Sequence, residues 1–238
     1  MDAICIIIPT YNESENLSLL INTIEEVLKG KKFKIIIVDD KSTDGTALKA
    51  KRLNEIYGNI VVYERQKKEG IGSAIRKGME IALSFKDTKH IVTMDGDMQH
   101  NPTEVSRLVE EASNVDLVVG SRYVKGAEIA GWNGLRRVAS IIANILCWLL
   151  FRTRLHDQTT NFRVYSRRCA EAMIKNSSNS GFEWQVSSIL AARKNHFKIK
   201  EVPISFTKRL NGKTKLSFLD VIKWCVSVAR LTLETYSI

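Results

Sequence analysis

Asp95-Gly96-Asp97 sets two carboxylates two residues apart, directly after the apolar run 91–94 (IVTM). Like charges this close repel unless a cation or hydrogen-bond donors compensate them. A hard divalent ion held on substrate phosphates supplies that compensation, because Mg²⁺ uses one or two carboxylates together with phosphate oxygens. Gln99, two residues on, can reach the same ion directly or through water. Asp39-Asp40, followed by Ser42, Thr43 and Asp44, reads in two ways. It is turn and cap chemistry, or it accepts the N–H of a nucleobase and the hydroxyls of a ribose. The loop Pro9-Thr10-Tyr11-Asn12-Glu13 offers a ring to stack on a base and a further acidic contact, although Tyr11 alone also suits a partly buried loop aromatic. Gly70-Ile71-Gly72-Ser73 has neither the P-loop spacing nor the dinucleotide-binding fingerprint. A tight turn packing a helix on a sheet fits it better.

These polar groups each follow a segment that reads as a buried strand. Residues 3–8 (AICIII), 34–38 (KIIIV), 60–63 (IVVY), 91–94 and 116–119 (DLVV) are short β-branched runs. Between them, residues 15–28 place Leu17, Leu20, Ile21, Ile24, Val27 and Leu28 at helical spacing. Further helices are expected from Asp44 and Thr46, as caps, to about residue 56, and over 72–83 and 103–112. Strands alternating with helices imply a mostly parallel sheet covered on both faces. Ligands of such sheets bind outside the carboxyl ends of the strands, where Thr10 to Glu13, Asp39-Asp40, Asp95 to Asp97 and Ser121-Arg122 all fall.

The second half of the chain has a different character. Of the net charge of +10, residues 1–120 carry −3 (16 Lys+Arg, 19 Asp+Glu) and residues 121–238 carry +13 (20 and 7). Such a basic half suits a polyanion: nucleic acid, an anionic membrane or phosphorylated substrates. Residues 138–151 (VASIIANILCWLLF) are almost wholly apolar and are bordered by Arg136, Arg137, Arg152 and Arg154. A 14-residue helix is about 21 Å long, short of a hydrocarbon core of about 30 Å, so no membrane span is expected. Residues 216–236 read as an amphipathic helix with Asp220, Lys223, Ser227, Arg230 and Glu234 on one stripe. Both helices suit burial against the sheet or a neighbouring subunit, or insertion into a membrane interface. Residues 4–8 are too short and lack the basic leader of a secretory signal. The four cysteines are widely spaced, which suits buried reduced thiols rather than disulfides or a metal site.

The ordered set PTYNE, VDDKSTDGT, EGIGSAIRKG, MDGDMQH and GSRYVKG resembles the inverting GT-A glycosyltransferases of family 2. Within them it is similar to the dolichol-phosphate (polyprenyl-phosphate) mannose synthase and glucosyltransferase group. Arg136 before the apolar helix, DQTTNFR over 157–163, and Arg209-x-x-Gly212-x-Thr214-Lys215 extend the likeness to about residues 3–220. The resemblance implies one GT-A domain over 1–238: a single Rossmann-like, mostly parallel sheet flanked by helices, with C-terminal amphipathic helices. Residues 1–125 would bind nucleotide sugar and metal, and 126–238 would face the acceptor and the membrane.

By the same resemblance, Pro9, Tyr11, Glu13 and Asp40, with Asp39 beside them, bind the nucleoside. Asp95, Asp97 and Gln99 hold Mg²⁺ or Mn²⁺ on the diphosphate, with Gly96 between the two acids. Arg122, Arg136, Arg209 and Lys215 line the path of the donor and acceptor phosphates, and Asp97, Arg122 and Arg136 are the catalytic candidates. The implied reaction moves a hexose, from GDP-mannose or UDP-glucose, to a dolichyl or polyprenyl phosphate. It would occur on the cytoplasmic face of a membrane that the protein binds peripherally. The family commonly has Ser-Gly-Phe where this chain has Thr160-Asn161-Phe162, and Asp-Ala-Asp in place of Asp-Gly-Asp. Asn tolerates the positive φ that a glycine at 161 would have served.

A lipid phosphate is already anionic and needs no strong base, whereas a hydroxyl acceptor needs one. A saccharide acceptor is therefore the alternative, with Asp157 as the candidate base. Nucleic acid is not an expected partner, because Trp148, Phe151, Phe218 and Trp224 lie in apolar helices and are not interleaved with Lys and Arg.

Overall fold

The computed structural model describes residues 3–132, 134–176, 181–211 and 218–236. The apolar runs of the first half form β1 (Ala3–Thr10), β2 (Phe33–Asp39), β3 (Ile60–Glu64), β4 (Thr88–Thr93) and β5 (Leu117–Ser121). Between them lie α1 (Ser14–Val27), α2 (Thr46–Tyr57), α3 (Ile71–Ser84) and α4 (Val105–Glu111). The remainder comprises β6 (Glu128–Ile129), α5 (Gly134–Phe151), β7 (Arg163–Ser166), α6 (Arg167–Asn176), α7 (Trp184–Lys194), β8 (Ile199–Pro203), β9 (Ser205–Phe206) and α8 (Phe218–Tyr236).

Seven strands form one sheet in the order β3-β2-β1-β4-β7-β5-β8. All neighbours are parallel except β7, which runs antiparallel to both β4 and β5. Alternation along β1 divides the core. Ile4, Ile6 and Ile8 pack on the side of Leu17, Leu20, Ile21 and Leu108. Cys5 and Ile7 pack on the other side, with Ile75, Met79, Tyr165 and Trp184. Apolar layers on both faces explain why these strands read as continuous apolar runs.

Several elements differ from the sequence expectation. Strand β7 was not foreseen: it is four residues long and carries Arg163, yet it enters the middle of the sheet. The guanidinium is fully buried and donates to the carbonyls of Gln158 and Gln185 and to Ser188 Oγ, so polar partners make the position tolerable. Helix α5 begins four residues earlier than the apolar run and so takes in Arg136 and Arg137. Its 18 residues, about 27 Å, make it long and apolar enough to cross a membrane by length and composition.

Helix α5 is not buried against the sheet. Its Cys147 and Phe151 pack with Val186 and with Val228 and Trp224 of α8, while Leu135, Val138, Ile142, Ile145, Trp148 and Leu149 are exposed. On α8, Lys223 and Arg230 are exposed as expected, but so are Val226 and Leu233; the side chains of Asp220 and Glu234 lie outside the described set. Cys5, Cys147 and Cys169 are buried free thiols, whereas Cys225 is exposed, contrary to expectation.

Close approach of strands sets one glycine. A Cβ at Gly120 would lie 2.9 Å from both Ile204 Cγ2 and the Phe162 carbonyl oxygen, and the Gly120 N–H donates to that carbonyl. Gly96 differs: a Cβ there meets side-chain carbons no closer than 3.4 Å. Gly120→Ala is therefore expected to cost about 1–3 kcal/mol and Gly96→Ala close to nothing, as read by urea unfolding.

Candidate active site

The loops after β1, β2 and β4 come together at one edge of the sheet, as the strand order requires. Each contains a non-glycine residue in the left-handed region: Asn12 (φ 53°), Lys41 (φ 57°) and Met98 (φ 63°). Asn adopts this conformation readily, but Lys and Met do so rarely. Backbone strain of this kind gathers at functional sites.

Asp97 is buried. Its Oδ1 accepts the Gln99 N–H at 3.0 Å and its Oδ2 lies 2.8 Å from Arg209. Asp95 Oδ1 accepts from Asn161 Nδ2 at 2.9 Å. Burial pushes the Asp95 carboxyl up, and burial together with the Asp95 charge pushes up Asp97. Two neighbouring acids raised in this way, Asp97 buried and Asp95 partly exposed, call for a cation, and Arg209 supplies one by bridging Asp97 and Glu13 Oε1 (2.9 Å). Arg209 reaches this position because its segment is stitched to Gln99: the Thr207 N–H donates to the Gln99 carbonyl, and Gln99 Nε2 donates to the Thr207 carbonyl at 2.9 Å. Gln99 Oε1 faces Arg136 at 3.4 Å.

His100, also buried, accepts the Asp95 N–H on Nδ1 at 3.1 Å. Burial lowers its pKa to about 4, so the ring is neutral and its 3.7 Å approach to Asp95 Oδ2 is not an ion pair. It stacks on Phe162 and meets Phe206 edge-on.

On the nucleoside side of the expectation, both acids are engaged. Asp39 Oδ1 accepts from Thr10 and Ser42 hydroxyls and Oδ2 accepts the Ser42 N–H, which is turn chemistry. Asp40 Oδ1 pairs with Arg65 Nε at 2.5 Å, and Oδ2 accepts the Gly70 N–H. Burial nonetheless pushes the Asp40 carboxyl up. The Tyr11 ring carries Lys68 Nζ 4.3 Å from its centroid, and Pro9, two residues before it, is half-buried. Glu13 donates its N–H to Thr46 and turns its carboxylate to Asn16 and Arg209.

On the acceptor side, Arg122 and Asp157 form a buried bidentate pair at 2.7 and 2.8 Å. Asp157 also accepts the N–H groups of Arg122, Thr159 and Thr160. Burial opposes its charge, but the Arg122 contacts hold the carboxyl below its usual range. Arg122 is thus already paired, where a cation lining the phosphate path was expected. Trp132 lies under both Arg136 (4.3 Å) and Arg122 (5.4 Å) and packs edge-on against Phe206. Lys215 lies outside the described residues.

The family model for glycosyl transferase family 2 matches residues 5–174, which include the acid pair, Arg122, Arg136 and Asp157. The chain belongs to glycosyl transferase family 2. It is 36% identical over 227 residues to the polyprenol monophosphomannose synthase of Mycolicibacterium smegmatis, covering 94% of this chain and 84% of that protein. It is 32% identical over 232 residues to the dolichol-phosphate mannosyltransferase of Pyrococcus furiosus, covering 96% of this chain and 63% of that protein. Among solved structures it is similar to glucosyl-3-phosphoglycerate synthase from Mycobacterium tuberculosis in complex with Mn²⁺, UDP and glucosyl-3-phosphoglycerate. The TM-score is 0.71 at 18% identity, over 100% of this chain and 81% of that one. The sheet and its flanking helices are those of the GT-A fold that the sequence led us to expect.

Sequence reasoning brought the acids, Gln99, Arg136 and Arg209 to one place, and the structure does the same. It missed the roles of Arg65, Lys68, His100, Trp132 and Asn161. Trp132 carried a readable signal, as an aromatic four residues before Arg136, and Asn161 was noticed but for its backbone alone.

Removing one partner of a buried pair leaves the other charge uncompensated. Asp157→Ala is expected to destabilise the protein by about 3–5 kcal/mol in urea unfolding. Because the folded pKa of Asp157 is depressed, its contribution is complete above an unfolded value near 4 and is lost as pH falls below it. The gap between wild type and variant should therefore narrow in acid.

Proposed function

We propose that this family 2 enzyme transfers a hexose from a nucleotide sugar to a polyprenyl phosphate, with inversion at the anomeric carbon. Mannose from GDP-mannose is the leading donor, since the two relatives described above are named for mannose; glucose from UDP-glucose is the alternative. The single observation that carries the acceptor class is the state of Asp157. It is the acid the sequence offered as a base for a hydroxyl, and it is wholly engaged by Arg122 and loop N–H groups. Arginines face this side of the site instead, and they suit phosphate.

Asp95, Asp97 and the Gln99 amide fit a divalent cation, Mg²⁺ or Mn²⁺: hard oxygen donors, with two adjacent acids, one buried and one partly exposed, whose charge needs a counter-ion. When bound, such an ion neutralises charge developing on the leaving diphosphate. Arg209 and Arg136 add fixed positive charge beside it. The acceptor phosphate oxygen forms the new bond to the anomeric carbon, and the diphosphate leaves with the electron pair of the broken C–O bond. The attacking oxygen has no proton to give up. Tyr11 and Lys68 are positioned to cover the base, with Arg65 fixing Asp40 behind it.

Helix α5 supports the lipid reading by linking two features. Arg136 stands in its first turn against Gln99, and exposed apolar side chains run along the same helix. Because one end is committed to the site and Cys147 and Phe151 are packed inside, the helix lies on a membrane surface with its outer row in the interface. Arg137, Arg152 and Arg154, all exposed, face anionic headgroups, each contributing about 1 kcal/mol. The domain 1–238 then works as one unit, peripheral on the cytoplasmic face.

Incubation with labelled GDP-mannose or UDP-glucose, polyprenyl phosphate and Mg²⁺ or Mn²⁺ should label the lipid fraction. A lipid fraction that stays unlabelled with both donors would overturn the assignment. Asp97→Ala should lower transfer roughly 100-fold or more. Trp148→Asp with Leu149→Asp should release the protein from anionic vesicles in a sedimentation assay, while GDP binding by thermal shift stays as in wild type.

A further inference from the structure

Asn161 immediately precedes Phe162 and was expected to serve through its backbone; the structure gives the backbone no such role. Asn161 is not among the residues with positive φ, so it does not stand in for a glycine's conformational freedom. Its side chain has a task instead. Nδ2 donates to Asp95 Oδ1 at 2.9 Å, across 66 residues of sequence. The ionised, metal-binding form of Asp95 can only accept in this contact, which requires the Asn161 amide to present its NH₂.

The residue is also held where it stands. Its carbonyl accepts from Thr93 Oγ1 at 2.6 Å, at the end of the strand that leads into Asp95. Next to it, Phe162 is fully buried and its carbonyl accepts the Gly120 N–H at 2.8 Å. Asn161 itself is only 3% exposed. Asp95 is thus gripped twice: at its main-chain N–H by His100 and at Oδ1 by Asn161. Oδ2 is the oxygen that Asn161 leaves alone.

We propose that Asn161 is a positioning residue for the divalent cation, holding the Asp95 carboxylate in one rotamer. The inference rests on the metal reading of the acid pair and deepens it. Partners that orient a ligand in this way are worth about 10–100-fold in metal affinity. The side chain also offsets part of the repulsion between the two acids before any cation arrives, because it donates to the charged form.

The test is Mn²⁺ titration followed by electron paramagnetic resonance, with and without GDP or UDP, on wild type, Asn161→Ala and Asn161→Gly. The glycine variant also lacks the amide and guards against misfolding of the alanine variant. We expect both variants to bind Mn²⁺ about 10–100-fold more weakly. Their transfer rate should return towards wild type at saturating metal, so that the activation constant for Mn²⁺ moves more than kcat. A merely structural role would lower the melting temperature and kcat while leaving the Mn²⁺ titration in place, and that result would overturn the proposal. If wild type itself binds no Mn²⁺ in either condition, the metal reading falls and takes this inference with it. Variants that bind as wild type does would sink the Asn161 role alone.

Discussion

Two carboxylates held two residues apart in one loop repel one another, and much of the local structure compensates for that repulsion. Asp95 and Asp97 are both pushed towards the neutral form by burial. Arg209, Asn161 and the Gln99 N–H each supply positive charge or a donor in return. The compensating groups come from distant parts of the chain: Asn161 from the turn before β7 and Arg209 from the segment after β9. The acid pair therefore gathers the second half of the sequence around the first. This explains how a nearly neutral half and a strongly basic half form one site.

The basic half is itself differentiated. Arg163 is buried among carbonyls inside the sheet, and Arg122 is locked to Asp157. Arg209 balances the acids, while Arg136 rests on Trp132 at the start of α5. Arginine suits each of these settings because its planar fork makes several directional bonds and stays charged when buried. Counting charges could not separate these roles, since a structural guanidinium and one that meets substrate look alike in composition.

Much of the scaffold was legible in the sequence, for physical reasons that can be named. Strands covered on both faces must be apolar throughout, so β1 and β2 stood out. Polar residues abruptly following such runs marked the carboxyl edge, and Asp95, Asp97 and Gln99 were found there. Strand β7 stayed hidden because four residues carry no periodicity and Arg163 argues against burial until its carbonyl partners are seen. The Arg122–Asp157 pair and the Asn161–Asp95 bond are tertiary contacts across 35 and 66 residues. No local pattern encodes them, so Asp157 read as an available base and Asn161 as a backbone substitution. The apolar run of α5 was legible, but its true start was not, because helical geometry extended it through two arginines.

That start has a consequence for how the protein meets a surface. Arg136 and Trp148 lie on one continuous helix, twelve residues and about 18 Å apart. On the membrane surface proposed above, a rigid rod of this kind would convert orientation into depth: laid flat, it would hold the chemistry at the level of the phosphate plane; tipped, it would lift or sink the whole site. A long isoprenoid tail need never leave the hydrocarbon for its headgroup to react. In that arrangement the helix would act as a level as much as an anchor, steadied by the packing of Cys147 and Phe151 against Val228 of α8.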